Sequence, residues 1–119
     1  MISFTGRTKV YAATGPVDLR KSFDALYAYV RDALKKDPMS GHVFVFINRK
    51  RDRLKALLWD GSGLIVIAKR LEDRKFTQLN SLMGDEISMT SAEFALLFEG
   101  ADLSRRFVES PKKYRELQP

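Results

Sequence analysis

The sequence predicts an α+β fold, a single domain in which an antiparallel β-meander sheet of about five strands packs with two helices. Three observations predict this class. Three consecutive segments rich in Val, Ile, Leu, Phe and Trp lie between residues 42 and 70 and are separated by turn sequences. Segments with helical spacing of apolar residues precede and follow them. The 119 residues, 45% of them hydrophobic, suit one core with little left for a second.

The first quarter of the chain predicts a short strand followed by a helix. Residues 9–13 form the strand candidate, and Gly15-Pro16 ends it. Residues 18–34 then carry apolar side chains on one helical stripe, and Asp18 is a plausible N-cap. Tyr27 and Tyr29 on this helix are predicted to be half-buried packing residues. Turn sequences at residues 37–38 and 40–41 close the unit.

The middle of the chain predicts a three-stranded meander. The strands are residues 42–48, Arg53–Trp59 and Leu64–Arg70. Residues 49–52 have the length and polarity of a hairpin loop, and residues 60–63 form a second turn. Apolar side chains occupy both parities of Val43–Ile47, which predicts a central strand covered on both faces.

The last third of the chain predicts two short strands and a second helix. A fourth strand is expected to begin at Phe76, and Glu86–Met89 is a further short strand candidate. Thr90 begins the helix with a capping box, because Glu93 lies three residues on, and Gly100 ends it. The predicted domain therefore covers residues 1–103, and residues 104–119 are expected to form a polar, flexible tail.

Composition narrows the function classes. The absence of cysteine excludes disulfides and thiolate metal sites. The apolar runs are too short to span a bilayer, and the N-terminal residues lack a signal-peptide pattern, so we expect a cytoplasmic protein without a membrane partner.

Catalysis finds little support in the sequence. The single histidine, His42, follows Ser40-Gly41 and is interpreted as a turn and strand-edge residue rather than a general base. A nuclease using Asp18 or Asp60 is the remaining catalytic alternative, although helix capping and turn formation explain both carboxylates. Gly61-Ser62-Gly63 lies between strands, where a nucleotide-binding loop does not occur. We predict a protein that is not an enzyme and has no cofactor or metal.

Charge is the strongest functional signal. The chain holds 21 Lys and Arg against 15 Asp and Glu, and residues 49–75 contain nine of the basic and four of the acidic residues, so this segment provides +5 of the net +6. A basic domain favours binding to a polyanion. A two-stranded β-ribbon has the right width for the major groove of B-form DNA. Trp59 could stack on a base, but strand-end packing is the favoured interpretation. Exposed loops are also charged for solubility, and cations protect sheet edges.

A set of motifs spread over most of the chain belongs together. It consists of Val10-Tyr11, Ala13-Thr14-Gly15-Pro16-Val17-Asp18-Leu19-Arg20-Lys21-Ser22-Phe23-Asp24, Asp37-Pro38, Ser40-Gly41-His42-Val43-Phe44-Val45-Phe46, Asn48-Arg49-Lys50-Arg51-Asp52-Arg53-Leu54-Lys55, Trp59-Asp60-Gly61, Lys69-Arg70-Leu71-Glu72, Leu96-Leu97-Phe98-Glu99-Gly100 and Asp102. Together these motifs resemble the TnpB-type accessory proteins (second open reading frame) of the insertion-sequence-sixty-six transposons. The resemblance implies a role in transposition beside a separate, larger transposase. The family has no catalytic residues that could be assigned to positions of this sequence. One departure is Thr77-Gln78-Leu79, where family members commonly continue with an aromatic residue and a proline.

The resemblance adds weight to Arg20 and Lys21, which lie in its most recognisable motif. Cations in the first turn of the predicted helix oppose the helix dipole, so their presence indicates a phosphate or partner contact.

We therefore predict a non-catalytic accessory protein of a bacterial insertion sequence that binds duplex DNA through a basic β-hairpin. The predicted nucleic-acid-binding residues are Arg49, Lys50, Arg51, Arg53 and Lys55, supported by Arg20, Lys21, Lys69 and Arg70. The alternative is a protein-interaction module that binds the transposase or another transposon-encoded protein and does not touch DNA.

Overall fold

The computed structural model describes residues 8–20, 22–80 and 84–103. Within them the chain forms five strands and two helices. In chain order these are β1 (Val10–Ala13), α1 (Phe23–Asp32), β2 (Val43–Ile47), β3 (Arg53–Trp59), β4 (Leu64–Arg70), β5 (Glu86–Met89) and α2 (Ser91–Phe98). The predicted α+β class is confirmed. The predicted tail, residues 104–119, lies outside the described residues.

The five strands form one mixed sheet in the order β4-β3-β2-β1-β5. The predicted antiparallel arrangement holds for β2–β3, β3–β4 and β1–β5, but β1 runs parallel to β2, with Val10 beside Val43. The reason is the connection between them. Because α1 crosses over one face of the sheet between β1 and β2, the chain re-enters the sheet from the same end.

The core lies on both sides of β2, whose five residues are all buried. Phe44 and Phe46 point to the side covered by α1, where Leu26 and Val30 pack. The alternate residues of β2, Val45 among them, point to the opposite side, which α2 covers. The prediction of a central strand covered on both faces is confirmed.

Helix α1 is shorter than predicted, because it begins at Phe23 with Ser22 as N-cap and ends at Asp32. Asp18 is therefore not the N-cap. Its carboxylate instead accepts a hydrogen bond from the Arg20 backbone N–H at 3.0 Å, which makes a local turn. The residues before it are held to the sheet, because the Val17 N–H donates to the Ile47 carbonyl at 3.0 Å. This bond fixes the connection to the end of β2.

The strand predicted at Phe76 is not formed. Residues 75–80 run without ladder pairing, yet Phe76 and Leu79 are buried on the α2 side of the sheet. Thr77, at the start of the departure from the family pattern, accepts a hydrogen bond from the Leu103 N–H and donates one to the Ala101 carbonyl, each at 3.0 Å. The segment therefore ties the chain after α2 to the domain instead of extending the sheet.

Helix α2 has the predicted ends. Thr90 accepts from the Glu93 N–H at 3.1 Å, while the Glu93 carboxylate accepts from the Thr90 N–H at 2.9 Å, so the capping box is complete. Gly100 follows the helix at φ +85°, the left-handed conformation that ends helices. Within the described residues, neither helix has the length and apolarity needed to cross a bilayer.

Candidate nucleic-acid interface

The loop between β2 and β3, residues 49–52, is fixed by the side chain of Asn48. Its Oδ1 accepts from the backbone N–H groups of Asp52 at 3.1 Å and Arg53 at 3.0 Å. Its Nδ2 donates to the Asp52 carboxylate at 2.7 Å. The Asn48 N–H also donates to the Arg53 carbonyl at 3.1 Å, which closes the base of the loop. Because one side chain bridges both strands, the cations of this loop project from a backbone that is already ordered.

A second segment of the chain braces the same loop. The Leu71 N–H donates to the Asp52 carbonyl at 2.8 Å, and the Phe76 N–H donates to the Arg51 carbonyl at 2.7 Å. Arg51 itself has φ +59°, a conformation that this bracing holds in place. The loop is therefore packed against residues 71–76 on one side.

The hairpin cannot act as the isolated two-stranded ribbon considered from the sequence. Strand β2 pairs with β1 on its other edge, and helices cover both of its faces. A ribbon that enters a major groove needs both strands exposed. Only the loop and its neighbours are available for contact, which favours phosphates over base edges.

One groove separates the loop from the connection between β1 and α1. Its lining includes Arg49, Lys50 and Arg53 from the hairpin and Asp18 and Arg20 from the connection. The three hairpin cations are exposed. None of them belongs to an ion pair within the described parts of the chain.

A second groove lies on the other side of the loop, where Arg51, Arg74 and Lys75 line it together with Asp102. A smaller depression is lined by both Arg49 and Arg51, so it shares an arginine with each of the two grooves. We call the cations bordering these grooves, apart from Arg20, which is paired with Asp18, the loop surface. It consists of Arg49, Lys50, Arg51, Arg53, Arg74 and Lys75.

Arg74 and Lys75 were not among the predicted site residues. They were counted in the basic segment, but they follow β4 and have no place in a hairpin. The brace between residues 71–76 and the loop brings them there. The charge excess of residues 49–75 was the signal in the sequence that could have included them.

Carboxylates reduce the charge of this region only in part. Asn48 donates to Asp52 and thereby holds the pKa of that carboxyl below its usual value, with smaller contributions from Lys75 and Arg53. Asp18 accepts from the Arg20 guanidinium, with an ion-pair distance of 2.7 Å, and this bond raises the arginine's pKa above its usual value. Because Arg20 already has an anionic partner, it adds little net charge to the groove.

The other predicted cations are divided between the two faces of the sheet. Arg53 and Arg70 are register partners on the α1 face, as are Lys55 and Ala68. Arg70 pairs with Glu72 at 3.0 Å. Lys69 points to the opposite face, where its Nζ donates to the Phe98 carbonyl at 2.7 Å and lies 4.5 Å from the centre of the Phe98 ring. Lys21 lies outside the described residues.

The residues considered for catalysis have structural roles. Nδ1 of His42 accepts from the Lys9 N–H at 3.1 Å, and its ring packs edge-on against Tyr11. Asp60 accepts from the N–H groups of Ser62 and Gly63, each at 2.9 Å, which builds the β3–β4 turn and holds the pKa of its carboxyl below its usual value. In the described ranges, His, Asp and Glu side chains form no group of three that could hold a metal ion.

Comparison with known proteins gives one family match. The sequence profile of the family described as IS66 Orf2-like protein matches residues 8–107. The uncharacterized protein y4jC of Sinorhizobium fredii is 38% identical over 116 residues, which cover 95% of this chain and 98% of that protein. The uncharacterized protein y4hO of the same organism is 35% identical over 94 residues, 79% of this chain and 81% of that protein. No solved structure matches.

Proposed function

The chain belongs to the IS66 Orf2-like family of insertion-sequence accessory proteins, and we propose that it serves transposition by binding duplex DNA through the loop surface. The proposed activity is binding without catalysis. Its partner is the phosphate backbone of the duplex, because the hydrogen-bonded loop presents cations and no free ribbon for base reading.

The observation that carries the proposal is the continuity of the loop surface. Six cations from two separate stretches of chain border three adjoining grooves around a single loop. Separate stretches that converge on one positive surface suit a polyanion better than a locally charged turn does. Asn48 and the brace from residues 71–76 order the backbone beforehand, which lowers the entropic cost of binding.

The contributions of the individual cations follow from their partners. The exposed Arg49 and Lys50 are proposed to contact phosphates most directly, with Arg53, Arg74 and Lys75 beside them. Arg20 and Arg70 would first have to give up a carboxylate, so their contribution is smaller. The amine of Lys69 is already bonded to the Phe98 carbonyl, so Lys69 is omitted from the proposed interface.

A salt titration tests the proposal. Fluorescence anisotropy on a labelled duplex should give a plot of log affinity against log salt with a slope of about −4 to −5, as neutralisation of about five phosphates requires. Lys50→Ala should reduce the magnitude of that slope by about 0.9. The matched control is Lys9→Ala. Lys9 is an exposed lysine just before β1, at the end of that strand away from the loop. A flat salt response, or an equal effect of the two variants, would refute DNA binding by the loop surface.

The competing candidate is a module that binds the transposase or another transposon-encoded protein without touching DNA. The family assignment supports partners of this kind. Co-purification of such a partner that survives nuclease treatment and high salt, together with a flat DNA titration, would favour this function.

A further inference from the structure

Strand β4 is an edge strand of seven residues. On one side it pairs with β3 over its full length, and no strand within the described residues pairs with its other side. None of its residues is buried, whereas all five residues of β2 are. An exposed edge of this length is an available template for another strand.

Backbone hydrogen bonds at both ends of the β3–β4 hairpin define which residues of β4 face outward. The Leu71 N–H donates to the Asp52 carbonyl, and the Asp60 N–H donates to the Gly63 carbonyl. Hydrogen-bonded pairs alternate along an antiparallel ladder, so the odd-numbered residues of β4 bond to β3. The N–H and C=O groups of the even-numbered residues therefore point away from the sheet. These residues are Leu64, Val66, Ala68 and Arg70.

The edge lacks the features that protect edge strands in monomeric proteins. Seven consecutive register pairs leave no bulge, and the strand contains no proline. Residues 64–68 are all uncharged, and Lys69 is turned onto α2. The opposite edge, β5, is only four residues long and carries Glu86, which pairs with Lys36 at 3.1 Å. Short length and charge protect β5, whereas the longer β4 has an outward-facing charge only at its last residue, Arg70.

We propose that β4 pairs antiparallel with β4 of a second copy of this chain, in a register centred on Ile67. This register places Arg70 opposite Leu64 of the second copy and Ala68 opposite Val66, so all four outward-facing residues find backbone partners. It also separates the cationic strand ends, whereas a parallel pairing would place the two copies of Arg70 side by side. The two copies are related by a two-fold axis through the centre of the shared strand pair.

The absence of cysteine from the chain provides a direct test of this register. Facing residues of a non-hydrogen-bonded antiparallel pair have Cα atoms about 4.5 Å apart, close enough for a disulfide. Under a mild oxidant Ile67→Cys should therefore form a covalent dimer. The matched control is Ile65→Cys, whose two copies would be separated by roughly 14 Å along the strands and should stay unlinked.

The mass of the unmodified protein completes the experiment. After nuclease treatment, light scattering coupled to size exclusion should give twice the chain mass, and Ala68→Lys should shift the protein towards the monomer by introducing like charges beside the axis. Circular dichroism checks that each variant is folded. A monomeric mass at high micromolar concentration, or cross-linking of Ile65→Cys as readily as Ile67→Cys, would overturn the proposal. Neither result would alter the salt titration of the loop surface.

Discussion

Asn48 and Asp52 form a reciprocal pair across the base of the β2–β3 loop. The asparagine amide donates to the Asp52 carboxylate at 2.7 Å, and its carbonyl oxygen accepts from the Asp52 backbone N–H at 3.1 Å. A third bond, from the Arg53 N–H, extends the same side chain to the start of β3. The orientation of the loop cations therefore depends on a residue that carries no charge.

Asn48→Ala should weaken both the fold and DNA binding. The half-buried side chain makes three hydrogen bonds, and its removal should lower the free energy of unfolding by about 1–3 kcal/mol. Because the loop backbone would lose the bonds to Asn48 and keep only the brace from residues 71–76, affinity for a duplex should also fall although no charge is removed. Denaturant unfolding and anisotropy measure the two effects. Unchanged affinity in a folded variant would show that loop order does not matter for binding.

The Asp52 carboxyl should titrate below the value of about 3.9 that is usual for aspartate. A depressed pKa in the folded state means that the charged form stabilises the loop. That contribution is complete above the unfolded pKa and is lost as pH falls through the folded pKa. NMR titration of the side-chain carboxyl measures the midpoint.

The same titration in Asn48→Ala should show the Asp52 midpoint moving upward, because the largest cause of the depression is the hydrogen bond from Asn48. Asp60 is the internal control. Its pKa is lowered by Ser62 and Gly63 at a different turn and should not move. An unchanged Asp52 midpoint would contradict the assigned cause.

Lys69 should act as a stabilising residue of α2. Its amine bonds the Phe98 carbonyl at the C-terminal end of the helix and lies over the Phe98 ring, so Lys69→Met should lower the free energy of unfolding by about 1–2 kcal/mol. Arg70→Ala is the neighbouring comparison. Its ion pair with Glu72 is exposed and should contribute less than about 1 kcal/mol.

DNA binding provides the second measurement on Lys69. Since the Phe98 carbonyl already holds its amine, Lys69→Met should leave the salt slope of duplex binding unchanged. If Lys69→Met reduced the slope as much as Lys50→Ala does, Lys69 would have to be included in the proposed interface.

Strand and helix identities could be predicted where the pattern is local. The uninterrupted apolar run Val43–Ile47 indicated a strand covered on both faces. The capping box of Thr90 and Glu93 indicated the start of α2. The parallel β1–β2 pairing could not be predicted in this way, because it depends on where α1 crosses the sheet. The predicted start of α1 was also wrong. Asp18 has the chemistry of an N-cap, but its carboxylate accepts from the Arg20 N–H in a local turn, and Ser22 is the N-cap instead.

The candidate site was predictable in charge but not in arrangement. The run from Arg49 to Lys55 was visible in the sequence, yet alternation along β4 placed its neighbours Lys69 and Arg70 on opposite faces. Arg74 and Lys75 lie beside the loop because residues 71–76, which are distant from it in sequence, bond to the loop backbone. Contacts of that kind leave no local signature.

Gly100 links the end of α2 to the loop surface. Its φ of +85° is left-handed, and a β-carbon built on it would lie 2.9 Å from Cδ of Arg74 and 3.2 Å from a methyl group of Leu71. Gly61, in the β3–β4 turn, has a comparable φ of +102° but open space around it. The two glycines share a backbone requirement and differ in their surroundings.

Gly100→Ala should therefore cost more stability than Gly61→Ala. Both substitutions force alanine into a left-handed conformation, at about 1 kcal/mol each. Only Gly100→Ala must also displace the Arg74 side chain and Leu71, and Arg74 belongs to the loop surface. We expect a larger loss in denaturant unfolding and a measurable loss of duplex affinity for Gly100→Ala, with affinity unchanged for Gly61→Ala. Equal losses in both measurements would mean that the side chains near Gly100 move aside freely, and that Arg74 does not need its present position to contact DNA.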